Sequence, residues 1–320
     1  MLTYFLQGID YSMITFAGTM LAFISTCFLL HKLGKYLPQD QGREFAHDGK
    51  LSAGKPRGAG IIFILTFSFA VLFFGRLSTE MVIYLALIVA SMLSGYLDDC
   101  AKHPWGEYKK GLLDLLIAVM TAVTYLNYNG NTFYLVSIDR SITLHPVLFG
   151  FLIVVLVWVS INVTNCADGV DGLSGTLTII TLGTIYVIMQ LLEKDADFSY
   201  GIILFIVCIL GYLWYNATPS RMLMGDAGSR AMGIFISMAI LKTGSPILYI
   251  PVAIVLILDG GLGLLKVALL RFLKIRILSN VRLPFHDHVR KNWGWSNTQC
   301  VFRFAIVQVI VSMALIYSFF

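Results

Sequence analysis

The chain has 320 residues, 58% of them hydrophobic and only 13% charged, with 22 Phe, 12 Met and a formal net charge of +5. A mean hydropathy of +0.80 excludes an ordinary soluble domain, and such sparse charge leaves no basic surface for nucleic acid. The five cysteines (Cys27, Cys100, Cys166, Cys208, Cys300) are scattered with no Cys-x-x-Cys pair, which argues against a disulfide framework or a structural zinc site.

Apolar runs of about 17–25 residues joined by short polar links predict an all-α, polytopic integral membrane protein, because backbone polar groups in lipid are satisfied within a helix. The spans are expected at roughly 12–33, 59–75, 81–97, 111–127, 146–163, 173–192, 200–217, 230–245, 247–272 and 300–319, about ten in all. The first carries no basic n-region or small-residue cleavage site and reads as a retained helix. No linker or low-complexity tract divides residues 1–320, so one membrane domain is expected. The link 128–145, where Tyr134, Val136 and Ile138 alternate with polar neighbours, suits a small hairpin. Nineteen of the 23 Lys and Arg fall in links 31–58, 98–110, 162–172, 216–230 and 266–303. That bias predicts an N-out, C-out topology with these links in the cytoplasm.

Polar motifs punctuate those same links. Asp98 and Asp99 end the third span, where the helix dipole and mutual repulsion both disfavour paired acids. A divalent cation or cationic substrate group would offset that repulsion, or one carboxylate would act as a base. Lys102, Lys109 and Lys110 follow, suited to an anionic phosphate. In the next motif Asn162 and Asn165 are three apart, and Asp168 and Asp171 repeat the spacing. Their oxygens are hard ligands suited to Mg²⁺, Asn amides can read a uracil or sugar edge, and Gly169 and Gly172 admit close backbone approach. Asp171 also suits an N-cap of the sixth helix.

Asp226, held between Gly225 and Ala227-Gly228-Ser229, precedes the eighth span, where a carboxylate can hold a metal while backbone N–H groups face phosphate. Asp259, Gly260, Gly261 and Gly263 fall inside the ninth span, a place for a kink. An intramembrane Asp is a functional candidate, and Lys266, seven residues on, shares its face. A bend there would open a groove for an acyl or prenyl chain. His286 and His288 flank Asp287 after Pro284. With no Cys or further His nearby, proton donation or phosphate hydrogen bonding suits them better than zinc.

In this order the motifs resemble the polyprenyl-phosphate N-acetylhexosamine-1-phosphate transferase superfamily over nearly the whole chain. The resemblance rests on Asp98-Asp99 with Lys102 (DDxxK), on Asn162 to Leu173 (NxxNxxDGxDGL) and on Met224 to Ser229 (MGDxGS). The last loop is similar to that of the phospho-N-acetylmuramoyl-pentapeptide transferase (MraY) family. Pro284, His286, His288, Gly294-Trp295 and Arg303-Phe304 match its Pro-x-His-His-His, Gly-Trp and Arg-Phe in order. Three places depart from that pattern. Asp287 replaces the middle His, Gly54-Lys55-Pro56-Arg57-Gly58-Ala59-Gly60 stands for Gly-Thr-Pro-Thr-Met-Gly-Gly, and Lys266 stands for Gln.

The resemblance implies a bacterial plasma-membrane enzyme, active at the cytoplasmic face. It implies transfer of phospho-MurNAc-pentapeptide from UDP to undecaprenyl phosphate, with Mg²⁺ as cofactor and a homodimer as partner state. Asp226 would be the metal ligand, and Asp98 or Asp99 the base or lipid-phosphate positioner. Lys102, Asn162, Asn165, Asp168, Asp171, His286, Asp287 and His288 would bind substrate. The alternative within the superfamily is a UDP-GlcNAc transferase that starts teichoic acid or O-antigen. A transporter is the alternative from another class, but its polar sites belong near the bilayer midplane in internal repeats, and no repeat is evident.

Overall fold

The computed structural model describes residues 10–42, 52–101 and 103–320. Its helices begin where caps and turn residues allow. α1 (Tyr11–Leu33) starts at Asp10, whose carboxylate accepts from the Ser12 N–H at 3.1 Å. α2 (Gly60–Phe74) follows a glycine-rich loop, and α3 (Thr79–Asp99) is capped by the Ser78 hydroxyl. α4 (Glu107–Asn129) leads into an antiparallel hairpin of β1 (Thr132–Leu135) and β2 (Arg140–Thr143). The expected hairpin is therefore present, although Val136 and Ile138 lie in its turn. α5 (Pro146–Cys166) has proline in its first turn, where the missing N–H costs nothing. α6 (Leu173–Leu191), α7 (Ala196–Asn216) and α8 (Gly225–Lys242) follow. The chain ends with α9 (Pro246–Val252), α10 (Ile254–Leu273), α11 (Phe285–Asn292) and α12 (Asn297–Tyr317), the last opened by a Ser296/Gln299 capping box.

Among the described residues, seven helices are long and apolar enough to cross a membrane, or eight if the bent pair α9–α10 is one span. The expected ten spans correspond to helical stretches of which two fall short of that test. α2 has 15 residues, and α8 carries Asp226, Arg230 and Lys242. α8 tolerates those charges because protein, not lipid, surrounds it: Gly225 to Leu241 are all buried. Phe235 stacks on Phe205 with ring centroids 4.2 Å apart, and Phe67 meets both rings edge-on. At Gly233 an added Cβ would sit 2.6 Å from the Ile161 Cα, so α5 and α8 touch backbone to backbone in the manner of small-residue membrane interfaces.

The ninth stretch is broken, by 71° between α9 and α10, but at Ala253 rather than at the Asp259-Gly-Gly run. That run forms a π-helical turn over Ile257–Gly261. Its Gly260 lets α5 pass close, since a Cβ there would lie 2.3 Å from the Val163 carbonyl. Beyond it, no residue from Leu262 to Leu273 is buried, so the outer part of α10 leaves the bundle.

Candidate active site

The site is built where the first turn of α8 meets the end of α3. Asp99 closes that helix N-terminus: its Oδ1 accepts from the Asp226 N–H at 3.2 Å and its Oδ2 from the Ala227 N–H at 3.1 Å. Free N–H groups and the dipole at a helix start favour a carboxylate there. Glycines make the approach possible. Gly225 has φ +69, and a Cβ on it would lie 2.1 Å from Asp99 Oδ2. Gly60 and Gly95 bring α2 and α3 against the backbone of residues 226–228 just as closely.

Two cations knit the carboxylates together. Arg57 donates from Nε to Asp99 (2.8 Å), from Nη1 to Asp40 (3.0 Å) and from Nη2 to Asp226 (3.5 Å). Burial works against that charge, but Asp99, Asp40 and Asp226 raise the guanidinium pKa further still. Burial likewise opposes ionisation of Asp40, yet hydrogen bonds from Ser52 and Arg57 hold it below the usual carboxylate range. Lys110 bridges Asp98 and Asp226, 3.1 Å from the latter. Asp98 also accepts from the Trp105 N–H at 2.6 Å. Beneath Lys110, Arg230 of α8 pairs with Asp114 of α4, and the Lys110 carbonyl accepts from the same guanidinium at 3.4 Å.

The second motif borders this cluster. Asn165 Nδ2 donates to Ser229 Oγ at 2.9 Å, and Asn162 Nδ2 reaches Asp114 at 3.4 Å. Both amides lie on α5, as their spacing predicts. Asp171 does not cap α6, whose N-cap is Gly172 with φ +81. Its Oδ2 instead accepts from the Ser220 N–H at 3.0 Å, because a left-handed Gly172 turns the chain before an Asx-type cap can form. Asp168 is half-buried beside it.

His286 enters from the last loop. Its backbone N–H donates to Asp259 Oδ1 at 2.7 Å and its ring Nδ1 lies 2.9 Å from Asp259 Oδ2. Its other ring nitrogen abuts Gly169, where a Cβ would lie 2.2 Å away. The polar motifs thus meet through Asn165–Ser229 and Gly169–His286. His288 accepts from the Arg282 N–H at 3.2 Å, and Asp287 faces Arg290 at 3.7 Å within its own helix. Lys266 does not accompany Asp259: its ammonium caps the Leu278 and Val281 carbonyls, at 2.8 and 2.9 Å. Lys102 lies outside the described residues.

Asp40, Asp114 and Arg230 join the site without having been named from the sequence, whereas Lys110 was read as suited to a phosphate, and Arg57 and Ser229 stood only as members of longer motifs. Asp114 was the most findable, being an acid inside a predicted span. Asp40 and Arg57 gave no such signal, because they fall in a link whose charges match an ordinary cytoplasmic loop.

Fold and site together define a class: a polytopic helical membrane protein that gathers buried carboxylates and cations at one end of its central helix. Residues 81–244 match the model of glycosyl transferase family 4. The phospho-N-acetylmuramoyl-pentapeptide-transferase of Treponema pallidum (strain Nichols) is 43% identical over 314 residues, 92% of this chain and 86% of that protein. Enzymes of the same description from Helicobacter hepaticus (28% over 305 residues, 85% of this chain and 83% of that one) and Clostridium acetobutylicum (27% over 293 residues, 89% and 90%) also align. The chain belongs to glycosyl transferase family 4 and, within it, to the phospho-N-acetylmuramoyl-pentapeptide transferases.

Proposed function

We infer that this protein transfers phospho-N-acetylmuramoyl-pentapeptide from its UDP carrier to undecaprenyl phosphate, giving lipid I and UMP at the cytoplasmic face of a bacterial membrane. The observation that carries the reading is the convergence of Asp98, Asp99 and Asp226 on Arg57 and Lys110. In the reaction a lipid-phosphate oxygen forms a bond to the sugar-bearing phosphorus, and the bond from that phosphorus to the UMP oxygen breaks. Such a displacement asks the protein for positioning and charge neutralisation above all.

The donor set suits Mg²⁺, on which the family depends. Asp98 and Asp226 both present hard oxygens to one ammonium, that of Lys110. Among the described residues no group of three or more His, Cys, Asp or Glu forms a closed metal cage. Mg²⁺ is usually held by one or two carboxylates plus water and substrate phosphate. Asp226 would hold the ion, which supplies Lewis-acid neutralisation of phosphate charge. Asp99 accepts three hydrogen bonds and its side chain is fully buried, so we assign it to positioning. Asp98 is the better candidate for orienting the lipid phosphate.

Asn162 and Asn165 border the same cluster and, with Asp168 and Asp171, are assigned to the nucleotide, with His286 and His288 towards the sugar-peptide end. The positive-inside bias supports the N-out, C-out orientation. The 71° break and the unburied outer half of α10 support a lateral groove for the prenyl chain. A homodimer is the expected assembly.

The test is UMP release by detergent-solubilised protein given undecaprenyl phosphate and either UDP-MurNAc-pentapeptide or UDP-GlcNAc, with and without Mg²⁺. Turnover is expected only with the pentapeptide nucleotide and Mg²⁺. Turnover only with UDP-GlcNAc would reassign the donor, and an unchanged rate in Asp226→Asn would overturn the site.

A further inference from the structure

We propose that Arg57 is a resident counter-ion for the carboxylate cluster, a positioning residue that keeps Asp99 and Asp40 assembled and releases Asp226 to the divalent cation. This rests on the reading of Asp226 as metal ligand.

Three observations carry it. First, the guanidinium uses a different nitrogen for each of three carboxylates that come from three separate segments. A planar fork presents these donors in a fixed, spread geometry, whereas an ammonium offers its three from a single nitrogen and reaches a narrower span. Second, the bonds are graded. Asp99 and Asp40 are held at 2.8 and 3.0 Å, with side chains 0% and 4% exposed, whereas Asp226 lies at 3.5 Å with 10% exposed. The carboxylate assigned to the metal is therefore the one least tied to Arg57. It can turn to another cation while the other two bonds stay intact.

Third, the loop that carries Arg57 is stitched into place independently of the salt bridges. The Arg57 N–H donates to the Pro38 carbonyl at 2.7 Å, and the Pro56 carbonyl accepts from the Leu223 N–H at 2.8 Å. The Ala59 and Gly60 N–H groups reach the Leu223 and Met224 carbonyls, both at 3.0 Å. Arg57 is thus fixed to the segment immediately before α8, so its charge stays at the cluster in whichever state Asp226 occupies.

The formal charge agrees. Four carboxylates (Asp40, Asp98, Asp99, Asp226) face two cations (Arg57, Lys110), leaving a double negative charge that one divalent ion cancels. Without Arg57 the metal-free cluster would carry a third uncompensated charge in a largely buried place, where repulsion is strong. A bound divalent ion would then offset more repulsion than it does in the parent.

The experiment is thermal melting of the detergent-solubilised full chain across a Mg²⁺ titration, for the parent, Arg57→Met, Arg57→Lys and the double variant Arg57→Met/Asp40→Asn. Arg57→Met is expected to melt several degrees lower without metal and to regain most of that loss at saturating Mg²⁺, with Arg57→Lys between. The double variant restores the charge balance and is expected to melt closer to the parent without metal, and it decides the matter if Arg57→Met cannot be isolated. An Arg57→Met deficit of equal size with and without Mg²⁺, or a double variant no better than the single, would overturn the counter-ion role. Parent UMP release, measured alongside, tests the underlying reading separately. A parent that turns over with Mg²⁺ while Arg57→Met melts identically in both conditions overturns only the role of Arg57.

Discussion

His286 and Asp259 form a buried pair that joins the last loop to the π-helical turn of α10, with the ring Nδ1 2.9 Å from Oδ2 and the backbone N–H 2.7 Å from Oδ1. Both are almost wholly buried, the pair being 3% and 0% exposed. The second ring nitrogen is thereby turned towards Gly169, inside the asparagine–aspartate motif. One carboxylate in α10 thus sets the position of a residue in the candidate substrate loop.

The pair makes stability pH-dependent. Burial alone would lower the His286 pKa, but the attraction and hydrogen bond of Asp259 prevail and raise it above 6.5, with Asp287 adding to the rise and Arg290 opposing it. A histidine whose pKa is higher folded than unfolded stabilises the fold fully below the unfolded value, and that contribution is lost as pH rises through the folded value. The melting temperature should therefore fall as pH rises above about 6.5. His286→Gln should melt lower at acidic pH and lose this slope. A slope that persists unchanged in the variant would show that another group produces it.

Packing at the first turn of α8 gives a sharper contrast. A Cβ on Gly60 would lie 2.1 Å from the Gly228 backbone nitrogen, whereas nothing lies within 4 Å of a Cβ on Gly183. Backbone cannot swing aside as a side chain can, so Gly60→Ala should cost at least the ~1–3 kcal/mol typical of overpacking. It should also displace Asp226 and depress turnover. Gly183→Ala, in the interior of α6, should be neutral or stabilising by up to about 1 kcal/mol. Melting and UMP release measured together on both variants check this; equal effects of the two would count against the close approach.

These contrasts show what a linear reading can and cannot reach. The helices, the hairpin and the order of polar loops follow from hydropathy, caps and motif spacing, because those are local properties. The convergence of Asp98, Asp99 and Asp226 was anticipated by charge bias and by the motif resemblance, neither of which supplies distances. Arg57 stood out only as a departure from a motif, because its partners Asp99 and Asp226 lie 42 and 169 residues away, and Asp40 was not named because its role appears only once Arg57 is placed beside it. Asp171 looked like a cap by composition, but the backbone at Gly172 is left-handed, and its side chain turned to Ser220. Lys266 has the right spacing to meet Asp259 on an ideal helix. The intervening π-helical turn alters that register, and the carbonyls of Leu278 and Val281 take the ammonium instead.

Asp114 and Arg230 offer the most demanding test of how the interior is held. Their side chains are 2% and 4% exposed and pair directly between α4 and α8. Removing one partner leaves an uncompensated charge in the core, which costs about 3–5 kcal/mol. Replacing both with apolar residues of similar volume is often close to neutral. Asp114→Leu and Arg230→Met alone should therefore melt far below the parent, and Asp114→Leu/Arg230→Met should recover most of that loss. Turnover should not recover with it, because Arg230 also anchors the Lys110 carbonyl, and Lys110 carries the ammonium shared by Asp98 and Asp226. Thermal melting and UMP release on the three variants separate the two effects. Full activity in the double variant would mean that Lys110 is positioned without the buried pair.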